Sequence, residues 1–232
     1  MTWLITGASR GLGRHLALAF AQRGHDVLAL ARDGARLRDL AAAAPEGRVV
    51  PVELDLADAA RIVPRIREAT AACDRLDGVI NNAAFGHFKP FLEHSERELL
   101  DMVQVNLTSA MLVCHAVLPR MIAQRSGHIV NIASDLARRP LANMAPYVAT
   151  KHGLAGFSHS LLREVKGHGI KVTLVNPGII DTDFGGGREG SRDENWSLRP
   201  AALARLILDV VLQPGHTVVD EITVHPLGQE DF

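Results

Sequence analysis

The 232-residue sequence predicts an α/β fold: one doubly wound sheet of seven parallel strands with helices on both faces. Three observations carry that expectation. Short β-branched runs alternate with longer helical patterns from end to end, at about 33 residues per repeat, close to the size of a βα unit. The candidate strands are mostly continuous apolar runs, as in a parallel sheet covered on both faces. No linker or break in composition divides the chain, so residues 1–232 are expected to form one domain, a common length for α/β architecture.

The first strand is Trp3–Thr6, followed by Leu12, Leu16, Ala19 and Phe20 at helical spacing. Further strands are expected at Val27–Ala31, Val49–Leu54, Gly78–Asn81, His128–Ala133, Lys171–Asn176 and Val218–Val224. Ser95-Glu96-Arg97-Glu98 has the form of a capping box that starts a helix before Leu99. Leu107, Met111, Cys114, Leu118 and Met121 make a second helical stripe of the kind that packs in a core or subunit interface. Gly24, Gly127 and Gly169 stand where helices should stop. Pro146 suits the first turn of a helix carrying Tyr147, and another helix is expected near Pro200–Leu212. Residues 184–197, with Gly185-Gly186-Gly187 and Gly190, are too long and irregular for an ordinary connection and are expected to be a mobile substrate lid.

Composition narrows the function classes. Hydrophobic residues at 47% and charged residues at 22% exclude wholesale disorder. With 25 basic against 26 acidic side chains, the clustered basic excess that nucleic-acid or anionic-membrane binding needs is not expected. No uninterrupted apolar run approaches the roughly 18 residues of a membrane span, and the N-terminus enters a strand without a signal-peptide pattern. Cys73 and Cys114 cannot build a disulfide framework and read as small buried hydrophobes. The cytoplasm is the expected compartment. None of the eleven histidines forms HExxH, and the helical pair His152 and His159 does not make a site, so no metal is expected.

Chemistry enters at Thr6-Gly7-Ala8-Ser9-Arg10-Gly11-Leu12-Gly13, between a strand and a helix. Glycines there let the backbone approach a pyrophosphate and leave helix N-terminal amides pointing at it. At the start of a βαβ unit this is a dinucleotide-binding signal, though the spacing is not the GxGxxG of the Rossmann fingerprint. Tyr147, the only tyrosine, stands four residues before Lys151, so the two share one helix face. A tyrosine with its ordinary pKa near 10 needs neighbouring positive charge to exchange protons near neutrality.

The TGxxxGxG turn at Gly7, Gly11 and Gly13 resembles that of the short-chain dehydrogenase/reductase family, and four further matches follow in that family's order. Asn81-Asn82-Ala83-Ala84 looks like its NNAG element, with Ala84 in place of glycine. Asn106 falls at its helical asparagine, and Ser134 precedes Tyr147-Val148-Ala149-Thr150-Lys151, its YxxxK, by thirteen residues. Asn176-Pro177-Gly178 ends the sixth strand.

The resemblance implies a Rossmann-like oxidoreductase that moves hydride between a nicotinamide and a carbonyl or alcohol. Tyr147 would be general acid and base, and Lys151 would assist it and bond the nicotinamide ribose. Ser134 would hold the substrate oxygen, and Asn106 would position a water. Cofactor contacts are expected from Gly7, Ser9, Arg10, Gly11, Leu12, Gly13, Arg32, Asp55, Leu56, Asn81, Ala83, Tyr147, Lys151, Pro177, Gly178 and Thr182. Asp181 and Asp183 read as solvated loop charges. His87 and the stretch from Asp135 to Asn143 would border the substrate, with Phe184 and Trp196 in the lid above it. A homodimer or homotetramer is also implied.

Arg10 and Arg32 bracket the place of a 2′-phosphate, so NADP is the expected cofactor. The NAD reading leaves both arginines solvated and gives the ribose to Asp33. Asp55 matches the family's adenine-contacting aspartate, or else caps the helix that begins near Asp58. Three alternatives stand beside a carbonyl reductase. An NAD-dependent hydroxy-acid or alcohol dehydrogenase differs in cofactor. A nucleotide-sugar epimerase or dehydratase would carry TGxxGxxG and a larger C-terminal part. A non-catalytic dinucleotide sensor would lack the tyrosine or lysine.

Overall fold

The computed structural model describes residues 1–229. Seven strands, β1 (Thr2–Thr6), β2 (Asp26–Ala31), β3 (Val49–Glu53), β4 (Gly78–Asn81), β5 (Gly127–Ile132), β6 (Ile170–Pro177) and β7 (Glu221–Val224), form one sheet. Their order is β3-β2-β1-β4-β5-β6-β7, and every neighbouring pair is parallel. The order reverses between β1 and β4, and the crevice beyond the carboxyl ends of strands at such a point is where open α/β sheets bind ligands.

Residues alternate between two cores. Trp3 and Ile5 of β1 face one that contains Leu16 and Phe20 of α1 (Gly11–Gln22), Leu37 and Leu40 of α2 (Gly34–Ala43), and Leu203 and Ile207 of α7 (Pro200–Val211). Leu4 faces the other, with Ile62 and Ile66 of α3 (Ala59–Ala71), Val113, Val117 and Met121 of α5 (Ser109–Gln124), and Leu161 of α6 (Ala145–Val165). Central strands β4 and β5 are buried at every position, which explains their mostly apolar sequence, and the polar Asn81, His128 and Asn131 in them are buried as well. Pro51 sits on the edge strand β3, where a missing N–H is tolerated.

Two expectations need correction. The last strand begins at Glu221, not Val218, because the Thr173 hydroxyl bonds to the Val219 carbonyl at 2.6 Å before the ladder starts. Gly24 and Gly169 do lie at positive φ beside helix ends, but Gly127 opens β5. The preceding helix is stopped instead by Arg125 at φ 50°.

The Ser95–Glu98 capping box is formed and starts α4 (Glu96–Val103). It runs into α5 through a π-helical turn at Gln104–Thr108, giving one helix over residues 96–124. By length and composition that helix is apolar enough to cross a membrane. Its Val113, Cys114, Val117 and Met121 belong to the core against the sheet, which accounts for the apolar stripe.

Candidate active site

The glycine turn and the loop after β4 form one unit. The Thr6 hydroxyl accepts the amides of Asn82 and Ala83 at 3.0 and 3.1 Å. The Asn82 side-chain amide donates to the carbonyls of Thr6 and Gly7 at 3.0 and 3.4 Å. A Cβ at Gly7, whose φ is 67°, would lie 2.9 Å from the Ala83 Cα, and one at Gly13 would lie 2.2 Å from the Gly7 carbonyl oxygen. Neither distance admits a side chain, so the sequence needs glycine at both positions. Helix α1 follows without a side-chain cap and without an acid in its first turn, leaving its positive end open to an anion. Thr182 comes to the same place: its side chain lies 3.4 Å from where a Gly11 Cβ would stand.

Asn81 lies differently from its neighbour. Its side-chain amide points into the protein and donates to Asn131 Oδ1 at 2.9 Å and Cys114 Sγ at 3.4 Å. Burial pushes the Cys114 thiol up to about 12. Asn82, absent from the expected site, is the residue that braces the turn. The second asparagine of the pair was its signal.

Beyond β2 and β3 a cavity of about 550 Å³ is lined by Arg32, Glu53, Leu54, Asp55, Arg61 and Arg65. Arg61 and Arg65, one turn apart on α3, went unnoticed in the sequence because nothing there ties them to β2. Asp33 caps α2 by accepting the Arg36 amide at 3.0 Å. Asp55 accepts the Ala57 amide at 3.0 Å, whereas the cap position of α3 is Asp58. The Leu56 side chain is buried, and its carbonyl accepts the Gln104 side chain at 2.9 Å. Arg10 stands exposed at the N-cap of α1.

Ser134, two residues beyond the end of β5, and Tyr147 on α6 bring their hydroxyls to one place, where the serine lowers and so partly offsets the shift of the phenol. Lys151 lies 5.5 Å from the Tyr147 ring centre and donates to the Ile132 carbonyl at 2.8 Å. All three are buried, as is Asn106. Asn106 sits inside the π-helical turn, where it accepts the Phe85 amide at 2.9 Å and donates to the Phe85 carbonyl at 2.7 Å. It also reaches Thr150 Oγ1 at 3.3 Å, so it fastens the loop after β4 to the residue beside Lys151.

Burial, aided by the Asp135 charge, raises the Tyr147 phenol above its usual value, and the Ser134 hydrogen bond only partly opposes this. Burial also lowers Lys151 from 10.5 to about 7. Desolvation dominates at both groups, and the phenol keeps its proton. A stability prediction follows from Lys151. Below about pH 7 the lysine is charged in both folded and unfolded chains, and the burial penalty acts in full. As pH rises toward 10.5, only the unfolded chain holds that proton, so folding becomes more favourable. The wild-type melting temperature should therefore gain between pH 7 and 9.5 relative to Lys151→Met, a difference that calorimetry across that range would read; parallel curves would contradict it.

Asp181 is not a solvated charge. It is 1% exposed, pairs with Arg199, and accepts the amides of Gly190 and Arg192 at 2.9 and 3.3 Å. Asp183 accepts the Glu189 amide at 3.1 Å, and Glu189 reaches His15 at 2.7 Å. The 184–197 segment is thus pinned at several points. Its Phe184 ring stands edge-on to Tyr147 with centres 5.6 Å apart, while Trp196 is 42% exposed. His87 is half-buried against Phe85, which packs beside Tyr147, Met102 and Met144.

Comparison with known proteins gives the family. The family model described as short chain dehydrogenase matches residues 1–192. The chain belongs to the short-chain dehydrogenase/reductase family. An uncharacterized short-chain type dehydrogenase/reductase of Sinorhizobium fredii is 34% identical, over 97% of this chain and 91% of its own length. Among solved structures, an alcohol dehydrogenase from Thermococcus sibiricus complexed with 5-hydroxy-NADP superposes with a TM-score of 0.92 at 27% identity, covering 99% of this chain and 97% of that one. A 3-ketoacyl-(acyl-carrier-protein) reductase from Brucella melitensis complexed with NADH gives 0.88 at 26%, covering 96% of each chain. This short-chain dehydrogenase/reductase is an oxidoreductase of the alcohol/carbonyl type.

Proposed function

We propose that this chain is an NADP(H)-dependent carbonyl reductase acting on a small aldehyde or ketone, in one domain spanning residues 1–232 with residues 184–197 as the substrate lid. The observation that carries the reading is the buried Ser134–Tyr147–Lys151 group beside the glycine cradle at the reversal of strand order. A bound nicotinamide would supply the hydride. Gly7, Ser9, Gly11, Leu12 and Gly13 would hold its pyrophosphate, Asp55, Leu56 and Ala83 its adenosine side, and Pro177, Gly178 and Thr182 its carboxamide side.

Ser134 and Tyr147 would turn their hydroxyls to one substrate oxygen, and Tyr147 would deliver the proton as charge builds there. A phenol held protonated by burial suits reduction more than oxidation. Asn106 keeps the Phe85 backbone and α6 in register with this pair.

NADP is favoured because Asp33 is engaged as a helix cap, while Arg32, Arg61 and Arg65 gather at one cavity, with Arg10 on the turn before it. Glu53 and Asp55 in the same cavity favour the second reading, an NAD-dependent hydroxy-acid or alcohol dehydrogenase. NADPH and NADH oxidation measured against a panel of aldehydes, ketones and keto acids decides between them. The specificity constant should be larger for NADPH, and Arg32→Ala should cut that preference about tenfold by removing a charge-assisted contact. A preference for NADH would overturn the assignment. The two free cysteines fit a reducing cytoplasm. Leu100, Val103 and Met111, exposed along the 96–124 helix, fit burial in a homodimer or homotetramer.

A further inference from the structure

The segment after β7 closes over the strand-end loops, and Gln229 is its point of contact with the catalytic group. The Gln229 Nε2 donates to Asp135 Oδ2 at 2.6 Å, and its Oε1 accepts the Ile179 amide at 3.0 Å. Asp135 is 6% exposed, and its other oxygen accepts the Ser134 hydroxyl at 3.1 Å. His225 Nε2 stands 3.7 Å from the Oδ2 atom, beyond hydrogen-bond reach. Gln229 thus joins the loop after β5 to the loop after β6. Gly178 leaves room for it: a Cβ there would lie 2.2 Å from the Gln229 Oε1. The adjacent Gly228 amide donates to the Asn195 carbonyl at 2.7 Å, so the same segment also holds residues 184–197.

Proton counting gives the chain of bonds a direction. A carboxylate only accepts, and a serine hydroxyl carries one proton. With that proton directed to Asp135, Ser134 can meet the Tyr147 hydroxyl only by accepting the phenol proton. The sequence is then Tyr147 O–H to Ser134 O–H to Asp135, with Gln229 N–H on the far carboxylate oxygen and the Ile179 N–H behind Gln229. For both hydroxyls to meet a substrate oxygen, Ser134 must turn its proton away from Asp135. The carboxylate must then stay stabilised by its other donor.

We propose that Gln229 is a positioning residue: by donating to Asp135 it lets Ser134, and through Ser134 also Tyr147, turn their protons to the substrate. The proposal rests on the reading of Ser134 and Tyr147 given above. Gln229→Glu keeps an acceptor for Ile179 but sets a carboxylate against a carboxylate. In the double variant D135N/Q229E the donor and acceptor exchange places. The amide introduced at position 135 then donates to the carboxylate introduced at position 229, and the amide oxygen still accepts from Ser134.

Tyr147 is the only tyrosine, so protein grown with tyrosine carrying ¹³C at the ring carbon bearing the hydroxyl gives one NMR signal that reports this phenol's hydrogen bond. Q229E should shift that signal and lower kcat for NADPH-dependent aldehyde reduction about tenfold, with the NADPH Kd within about twofold. D135N/Q229E should return the signal toward its wild-type position and recover most of the turnover. A signal unmoved by Q229E, or equally displaced in the double variant, overturns the proposal. Gln229→Met, which removes both hydrogen bonds without adding charge, is read in the same way should Q229E not fold. The signal needs no turnover. If it follows this pattern while no aldehyde, ketone or keto acid is reduced, only the functional reading fails. If Tyr147-dependent turnover is found and the signal ignores Gln229, only this inference fails.

Discussion

Tyr147→Phe should lower kcat by about 10³-fold, within the usual range for losing a general acid, while leaving the NADPH Kd within about twofold. The variant keeps the ring that packs with Met102 and Met144 and meets Phe184 edge-on, and it removes only the hydroxyl beside Ser134. Losing one buried hydrogen bond costs about 1 kcal/mol of stability, too little to unfold a domain of this size. Turnover and binding should therefore separate cleanly. Steady-state NADPH oxidation, paired with cofactor titration by fluorescence, measures both. Turnover within a few-fold of wild type would remove the proposed proton donor.

The second large effect is expected at Asp181. Its carboxylate is buried, pairs with Arg199, and takes two backbone amides from residues 190 and 192. Asp181→Ala strips three donors of their acceptor at once. Arg199 keeps Glu194, and its side chain is 36% exposed, so the arginine itself loses little. The two amides and the loosened segment should still cost about 2 to 3 kcal/mol. For a chain of this length that corresponds to a melting temperature lower by roughly 6 to 10 °C. Proteolytic cleavage should move into residues 184–197, and substrate KM should rise more than kcat falls. Asp181→Asn, which keeps an acceptor, should lie between. A calorimetric melting temperature unchanged in the alanine variant would show that Asp181 does not anchor the segment.

Much of the fold was legible because it depends on patterns each strand carries by itself. The burial of β4 and β5 on both faces favours mostly apolar runs, and both strands were placed within a residue or two. The glycines of the first turn were legible because sterics leave no other residue. What escaped were contacts between distant segments. Asp181 looked like a loop charge, since nothing near it in sequence reveals that Arg199 and two lid amides converge on it. Arg61 and Arg65 are brought to Arg32 only by the fold, which packs α3 against α5 and sets the two arginines at the cavity that Arg32 also lines. The Tyr147 and Lys151 shifts were not legible for a related reason. Helical spacing fixes that the two are neighbours, but how far both are buried is a property of the whole fold.

The π-helical turn at Gln104–Thr108 gives the 96–124 helix two rotational phases. An extra residue in one turn rotates everything after it by about 100° relative to a continuous α-helix. Upstream, that phase sends Met102 toward Tyr147; downstream, it sends Val113, Cys114, Val117 and Met121 to the sheet. Removing one residue from the turn would let it relax into an ordinary α-helix, and one of the two faces would then have to swing toward solvent. Asn106 sits at the phase boundary, so the helix can tolerate substitutions on its surface far more readily than any change in its length.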